Sequence, residues 1–268
     1  SVLCGSKQFP SKDPFVEFAK GSLNTFLNAM TYSDKTVYPI ASCNDKDYHN
    51  LMHVYLDAVF YPNIYTKDEI LRQEGWHYEM EDKDAELKFN GVVYNEMKGV
   101  FSSPDDVLAR RIQSSLLKDT PYAFESGGDP DAIPELTKEK FLSFHSRYYH
   151  PSNSYIYLYG NVDFEKELAF IDQDYLSHFD VRDVDSEIPF QAPYAEPMTD
   201  KETYSVSGPE EARDGVYMSY NVVCGESCDA ELMMAMQILD YVLLSMPGRA
   251  VKQALIAQSL GKEVESSF

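Results

Sequence analysis

Residues 181–201 hold three prolines and many acidic side chains with little periodicity. A stretch of that kind supports neither a buried strand nor an amphipathic helix, so it reads as an inter-domain linker. It divides the chain unequally. Residues 1–180 are long enough for a domain with its own core. Residues 202–268 are too few to cover the faces of their own elements, since domains usually run about 100–150 residues. A complete first domain followed by the incomplete beginning of a second is the expectation.

Within 1–180, helical and strand patterns alternate irregularly. Asp13 with Pro14 opens a helix to about Leu23, and two segments rich in β-branched and aromatic residues, 25–32 and 36–42, flank a polar Ser33-Asp34-Lys35 turn as a hairpin. Asn44, with Asp47 three residues on, caps a helix in which Tyr48, Leu51, Met52, Tyr55, Leu56 and Val59 recur at helical spacing as far as Pro62. A short helix spans 67–74, and strand-like segments 76–81 and 87–93 flank a turn at 82–84. Helices follow over 93–99 and from Pro104, then after Thr137 to about Tyr149 and after Asp163 to Phe179, with an apolar strand at 155–159 before the last. Beyond the linker, strands are expected at 203–206 and 215–223, a helix at 229–244, and another opened by Pro247. Helices and strands mixed in this way define an α+β fold.

Composition removes several functional classes. Twenty Tyr and 15 Phe supply ample core material, and a net charge of −21 gives phosphate backbones no electrostatic attraction, which excludes nucleic acid as a partner. That charge serves solubility or, as a sharper reading, an acidic chamber favouring cationic peptides. Cys4, Cys43, Cys224 and Cys228 are too sparse for a disulfide framework, and no Asn-x-Ser/Thr sequon occurs, so a reducing compartment fits. No run of 18 apolar residues and no signal peptide is present, which argues against a membrane partner. The chain lacks an initiating Met and stops shortly after a helix-ending Gly261, so both ends read as cut.

His49 and His53 lie one turn apart on a helix and could share a metal, but no Glu stands between them to take a proton from bound water. A structural or surface histidine pair is the preferred reading, and a stand-alone metal-binding module remains the alternative. G-x-S-x-G, P-loop and G-x-G-x-x-G motifs are absent.

Longer motifs carry more. Ser1-Val2-Leu3-Cys4-Gly5-Ser6, Lys12-Asp13-Pro14-Phe15 and the run Gly21 to Thr31 are followed by Gln73-Glu74-Gly75-Trp76, Gly91-Val92-Val93-Tyr94-Asn95-Glu96-Met97-Lys98-Gly99, Ser126-Gly127-Gly128-Asp129-Pro130 and Tyr149-His150-Pro151-Ser152-Asn153. In this order they resemble the presequence-protease branch of the pitrilysin/insulinase zinc metallopeptidases. The resemblance implies a domain of the pitrilysin/mitochondrial-processing-peptidase type, with an antiparallel-rich sheet packed by helices, and part of a second similar domain. In such enzymes a His-x-x-Glu-His helix supplies two zinc ligands and the water-activating Glu, and a distant Glu completes the set. The motif would end immediately before Ser1, so the chain is expected to begin one residue after it and to contain neither the two histidines nor the base. The distal ligand matches Glu96. Taken alone, Glu96 is more simply a solvated helix carboxylate; the match of the whole 91–99 segment favours the ligand.

The resemblance further implies that Asn28 and Ala29 lie on a sheet edge that pairs with an extended peptide, the alternative being an ordinary edge-strand Asn. The parent protein is then expected to be a zinc-dependent endopeptidase closing like a clamshell around unstructured oligopeptides, in the cytoplasm or, in a eukaryote, an organelle matrix. Its remaining domains are partners of this chain, which alone would be inactive and would not retain zinc. A non-catalytic scaffold subunit of the same fold is the alternative.

Overall fold

The computed structural model describes residues 1–12, 14–206, 208, 215–246, 248, 250–260 and 263–268. They fall into two units, Ser1–Met218 and Ser219–Phe268. The expected cap Asp13, the helix-opening Pro247 and the helix-ending Gly261 lie outside the described residues.

The first unit begins with helix α1 (Pro14–Gly21) and then a long, interrupted hairpin. Strand β1 (Asn24–Leu27) leads to β2 (Met30–Thr31), and after the turn β3 (Thr36–Val37) leads to β4 (Ile40–Ser42). The pairing is antiparallel, Leu27 opposite Ile40 and Met30 opposite Val37, with a bulge between Asn24 and Phe26. Tyr32 N–H donates to the Lys35 carbonyl at 2.8 Å, closing the turn where the polar tripeptide places it.

Helix α2 (Asp45–Phe60) is the centre of this unit. Asn44 caps it as its sequence implies, the side-chain oxygen accepting from Asp47 N–H at 3.0 Å. Helical spacing predicts one apolar face; the structure buries more. Leu51, Met52, Val54, Tyr55, Asp57, Ala58 and Phe60 are all buried, and at 3.6 residues per turn these positions go round the whole circumference. The amino-terminal segment closes one side: Asp57, fully enclosed, accepts from Gln8 N–H at 2.8 Å and from Gln8 Nε2 at 3.1 Å, and Lys7 N–H donates to the Tyr61 carbonyl.

Helix α3 (Glu69–Glu74) precedes a second hairpin, β5 (His77–Glu79) with β6 (Lys88–Asn90). Helix α4 (Val92–Val100) follows at once. Its cap, Gly91, sits so close to the Gly75 carbonyl and the Trp76 backbone that no Cβ fits, and its φ is +155°. Then come α5 (Pro104–Leu116), α6 (Lys138–Tyr148) capped by Thr137, and α7 (Phe164–Asp174) capped by Asp163, which ends in a 3₁₀ turn, Leu176–His178. Helix α7 packs its carboxy-terminal end on α2 through aromatic rings: Tyr175 lies against Phe60 and Tyr61, and its hydroxyl donates to the His53 carbonyl at 2.9 Å.

The acidic stretch 181–201 forms neither helix nor strand and is tied to other parts of the first unit. Arg182 donates to the Ser146 and Arg147 carbonyls at the end of α6, Gln191 bonds Asp119, and Asp200 pairs with Arg111 of α5 at 2.5 Å. Segments 155–159, 203–206 and 215–223 differ from expectation: among the described residues none pairs as a ladder. Aromatic and β-branched composition makes a segment extended, but a strand exists only where a second segment supplies its hydrogen bonds.

The second unit contains α8 (Ala230–Asp240), capped by Asp229, a π turn (Tyr241–Ser245) and α9 (Ala250–Ala257). Met234, Ile238 and Leu239 on α8 lie exposed.

Two consequences for stability follow. The Tyr55 hydroxyl is buried with no hydrogen-bond partner among the described residues, and burial pushes its pKa up to about 12. Tyr55→Phe removes an unsatisfied group at almost constant shape, so it should leave stability unchanged or raise it by up to about 1 kcal/mol in urea unfolding. His145, only 5% exposed, donates from Nε2 to the Val59 carbonyl at 2.9 Å and takes the Tyr65 hydroxyl on Nδ1 at 2.7 Å, an arrangement the neutral ring satisfies. Burial holds its pKa below the ordinary value against the opposing effect of the carbonyl, and burial lowers that of His53 in the same way. The unfolded chain therefore protonates first. Stability should be complete above about pH 6.5 and fall as the pH drops toward the depressed folded value. His145→Gln should flatten that slope when unfolding midpoints at pH 7.5 and 5.5 are compared.

Candidate functional site

Glu96 projects from the middle of α4 and is exposed. Its neighbours are firmly placed. Asn95 donates from Nδ2 to Asn90 Oδ1 at 2.5 Å, Asn90 donates to Glu79 at 2.6 Å, and Asn90 Oδ1 also receives Gly91 N–H at 2.7 Å. On the other side, buried Met97 presses its thioether against Gly127 with no space for a Cβ there. Two sequence segments singled out separately, 91–99 and 126–130, thus meet in space, and the loop holds the helix that carries Glu96. The carboxylate itself forms no ion pair among the described residues.

Asn28 and Ala29 occupy the break in the long hairpin, between β1 and β2. Asn28 N–H donates to the Pro39 carbonyl at 3.2 Å, so its backbone belongs to the hairpin, while its Oδ1 accepts from Ala29 N–H at 2.8 Å. Ala29 is exposed. Its amide is thereby held by the neighbouring side chain, the donor that an added strand would require at this position. No hydrogen bond or ion pair joins Glu96 to Asn28 or Ala29 among the described residues.

His49 and His53 have other engagements. His49 Nδ1 meets Glu167 Oε2 of α7 at 2.7 Å, with its ring 4.5 Å from Phe170, and His53 packs edge-on against Phe9 and Phe170 at 5.0 and 5.1 Å. The Glu167 carboxylate is almost entirely enclosed and has Lys166 Nζ at 3.6 Å from its other oxygen. Glu167 could not be found as the partner of His49 from sequence, being 118 positions away; the only signal is an acid in the first turn of a capped helix. Among the described residues no group of three or more His, Cys, Asp or Glu side chains is disposed to hold a metal ion.

Comparison with known proteins agrees with this architecture. The family described as the peptidase M16 inactive domain matches residues 135–268. Protein HypA of Clostridium perfringens is 55% identical over 268 residues, which is 100% of this chain and 28% of that protein. Presequence protease 1, chloroplastic/mitochondrial, of Arabidopsis thaliana is 43% identical over all of this chain and 25% of its own length, and the mitochondrial presequence protease of Danio rerio 40% over all of this chain and 26% of its own. The α+β fold and these similarities show that the chain belongs to the peptidase M16 family. It is similar throughout to the presequence-protease branch, and it spans about a quarter of the length of the curated relatives it matches. Among the described residues no helix is long and apolar enough to cross a membrane.

The Asn28 contact can be tested directly. Asn28→Ala should speed amide exchange at Ala29 by about tenfold, a hydrogen bond of this kind contributing about 0.5–1.5 kcal/mol, while amides of β1 and β4 keep their rates in the same spectrum. Unchanged exchange at Ala29 would show that the carboxamide does not hold it.

Proposed function

We propose that this chain is part of a zinc-dependent metalloendopeptidase that degrades unstructured oligopeptides. Residues 1–180 form its first peptidase domain without the zinc helix, 181–201 the connection, and 202–268 the beginning of a second, similar domain. The observation that carries this reading is similarity along the entire chain to proteins named presequence proteases. The exposed apolar residues of α8 support the incomplete second domain. In the longer protein the work is peptide-bond hydrolysis, in the cytoplasm or an organelle matrix.

The residues present do not by themselves fit a zinc ion. A bound zinc needs three or four convergent donors, and Glu96 is a single exposed carboxylate. Glu96 supplies one ligand of a site whose other donors lie outside these residues, and α4, anchored through Asn90 and Met97, fixes where that carboxylate stands. The hairpin break at Asn28 and Ala29 receives the extended peptide, which takes over the Ala29 amide from the Asn28 carboxamide. The 268 residues alone are inactive, having neither a complete donor set nor a base beside it.

A second reading is favoured by one observation, the description of the matched family over 135–268 as an inactive domain. On that reading the chain belongs to a scaffold subunit that binds a partner. The two are separated by the sequence encoded before Ser1, where a His-x-x-Glu-His motif supports the peptidase and its absence the scaffold.

The 268-residue chain should leave an unstructured peptide intact. A protein extended through the upstream motif and the remaining domains should cleave it and lose that activity to a chelator. In the extended protein Glu96→Gln should lower both retained zinc and turnover by at least tenfold, since it removes a ligand charge at nearly constant shape. Full zinc and normal turnover in that variant would overturn the role of Glu96, and cleavage by the 268 residues alone would overturn the partial-enzyme reading.

A further inference from the structure

Strands β5 and β6 form an arm with two unlike faces. Tyr78 stands opposite Phe89, and Met80 and Leu87 fall at the next positions of the same register, so these four share one face, successive strand residues pointing to opposite sides. Glu79, Glu81 and Lys88 take the other face, where Lys88 Nζ meets Glu81 at 3.4 Å. The apolar face is bare: Tyr78, Leu87 and Met80 are 60%, 57% and 50% exposed. Its own rings hold it in shape. Tyr78 and Phe89 have centroids 5.2 Å apart, Trp76 meets both edge-on at 5.4 and 5.7 Å, and Trp76 Nε1 donates to the Leu136 carbonyl at 3.2 Å.

The base of the arm is joined to α4. Phe89 contacts Tyr94 at 5.8 Å, and the Asn90–Asn95 hydrogen bond ties the end of β6 to the residue beside Glu96. The tip is acidic. Glu81, Asp82, Asp84 and Glu86 surround a single Lys83, and of these acids only Glu81 has an ion-pair partner among the described residues. Large apolar and aromatic side chains bared together on one small element mark an interaction surface. The unpaired acids next to them are complementary to positive charge.

We propose that the apolar face of the β5–β6 arm is a docking surface for the peptide substrate, away from the bond to be cut. It takes bulky apolar side chains at alternate positions of an extended segment, with a basic residue lying against the acidic tip. The inference rests on the reading of the chain as part of a peptidase. The arm then serves specificity and not the chemistry. Contacts made here are equal in the ground state and the transition state, so they lower KM and leave kcat unchanged. Only a peptide long enough to reach both the arm and the scissile position gains from them.

Trp76 is the only tryptophan of the chain, so its fluorescence reports on this face directly. The probe is a peptide of about 16 residues with Leu at alternate positions and Lys between some of them, long enough to span roughly 50 Å when extended. Titrated into the 268-residue chain, it should shift Trp76 emission saturably, and a counterpart with Glu for each Lys should bind at least tenfold more weakly at low salt. Tyr78→Ser with Leu87→Ser should weaken binding of the Lys peptide at least tenfold. The thermal midpoint should not move; if it falls, Leu87→Ser alone, at a position without ring contacts, should still weaken binding measurably. In the longer protein the same variants should raise KM for this peptide with kcat unchanged, and leave both constants unchanged for a pentapeptide. No saturable shift, or undiminished binding by the variants, would overturn the docking surface, and equal binding of the Glu peptide would overturn the role of the acidic tip. If the longer protein fails to bind a peptide that the 268 residues bind, the remaining polypeptide covers the face and the proposal falls. Binding at the arm of a longer protein that cleaves no peptide would sink the peptidase reading, while cleavage with a KM that the variants do not move would sink the docking surface alone.

Discussion

The enclosure of the carboxy-terminal part of α2, from Leu51 to Phe60, is the constraint on which the first unit depends. A helix whose buried positions encircle it cannot rest on one neighbour, so β4, the segment around Gln8 and α7 must each take a place against it. The enclosed carboxylate of Asp57 makes that arrangement specific. A buried charge is tolerated only with its hydrogen bonds made, and Asp57 obtains them from both the backbone and the side chain of Gln8. An apolar residue at 57 would allow the amino-terminal segment to slide; the carboxylate fixes its register.

Polar groups elsewhere in this core work in the same way. His145 joins Tyr65 of the loop after α2 to the Val59 carbonyl and stacks on Tyr149 at 4.4 Å, and Tyr149 reaches the hairpin through the Tyr38 hydroxyl at 2.9 Å. Burial raises the pKa of Tyr38 and lowers that of His145, so both stay neutral at physiological pH and make the contact without the desolvation penalty of a charge. His49 with Glu167 links α2 to α7 across a similar boundary. The hairpin carrying Asn28 and Ala29 is thereby anchored to α6, and the helix carrying Glu96 to the loop at Gly127. The two parts of the proposed site stand on separate anchors.

What the unit does not satisfy internally is as informative as what it does. Among the described residues its strands form three two-stranded antiparallel pairs, a small amount for a fold of this class. Meanwhile two segments of strong strand composition, 155–159 and 215–218, belong to no ladder among the described residues, with Tyr155 and Val216 almost fully exposed. Apolar side chains in that condition cost free energy in water, and the same residues inside a completed sheet would stabilise it at roughly 25 cal/mol per Å².

The sequence by itself determined the local structure. Asn44, Thr137, Asp163 and Asp229 each cap the helix they precede, because a short polar side chain satisfies an end amide two or three residues away and needs nothing distant. The Ser33–Lys35 turn and the hairpin around it are legible for the same reason, and the long motif segments were enough to place the chain in its family and to single out Asn28, Ala29 and Glu96. Tertiary structure alone decided which of those local elements found partners. It buried positions all round the carboxy-terminal part of α2 where periodicity showed one apolar face, gave His49 to Glu167 instead of to His53, took the Ala29 amide with the Asn28 side chain, and left 155–159 without a ladder. Each of these outcomes depends on groups brought together in space, and nothing in the local spacing of residues records which distant segment will supply the other half of a contact.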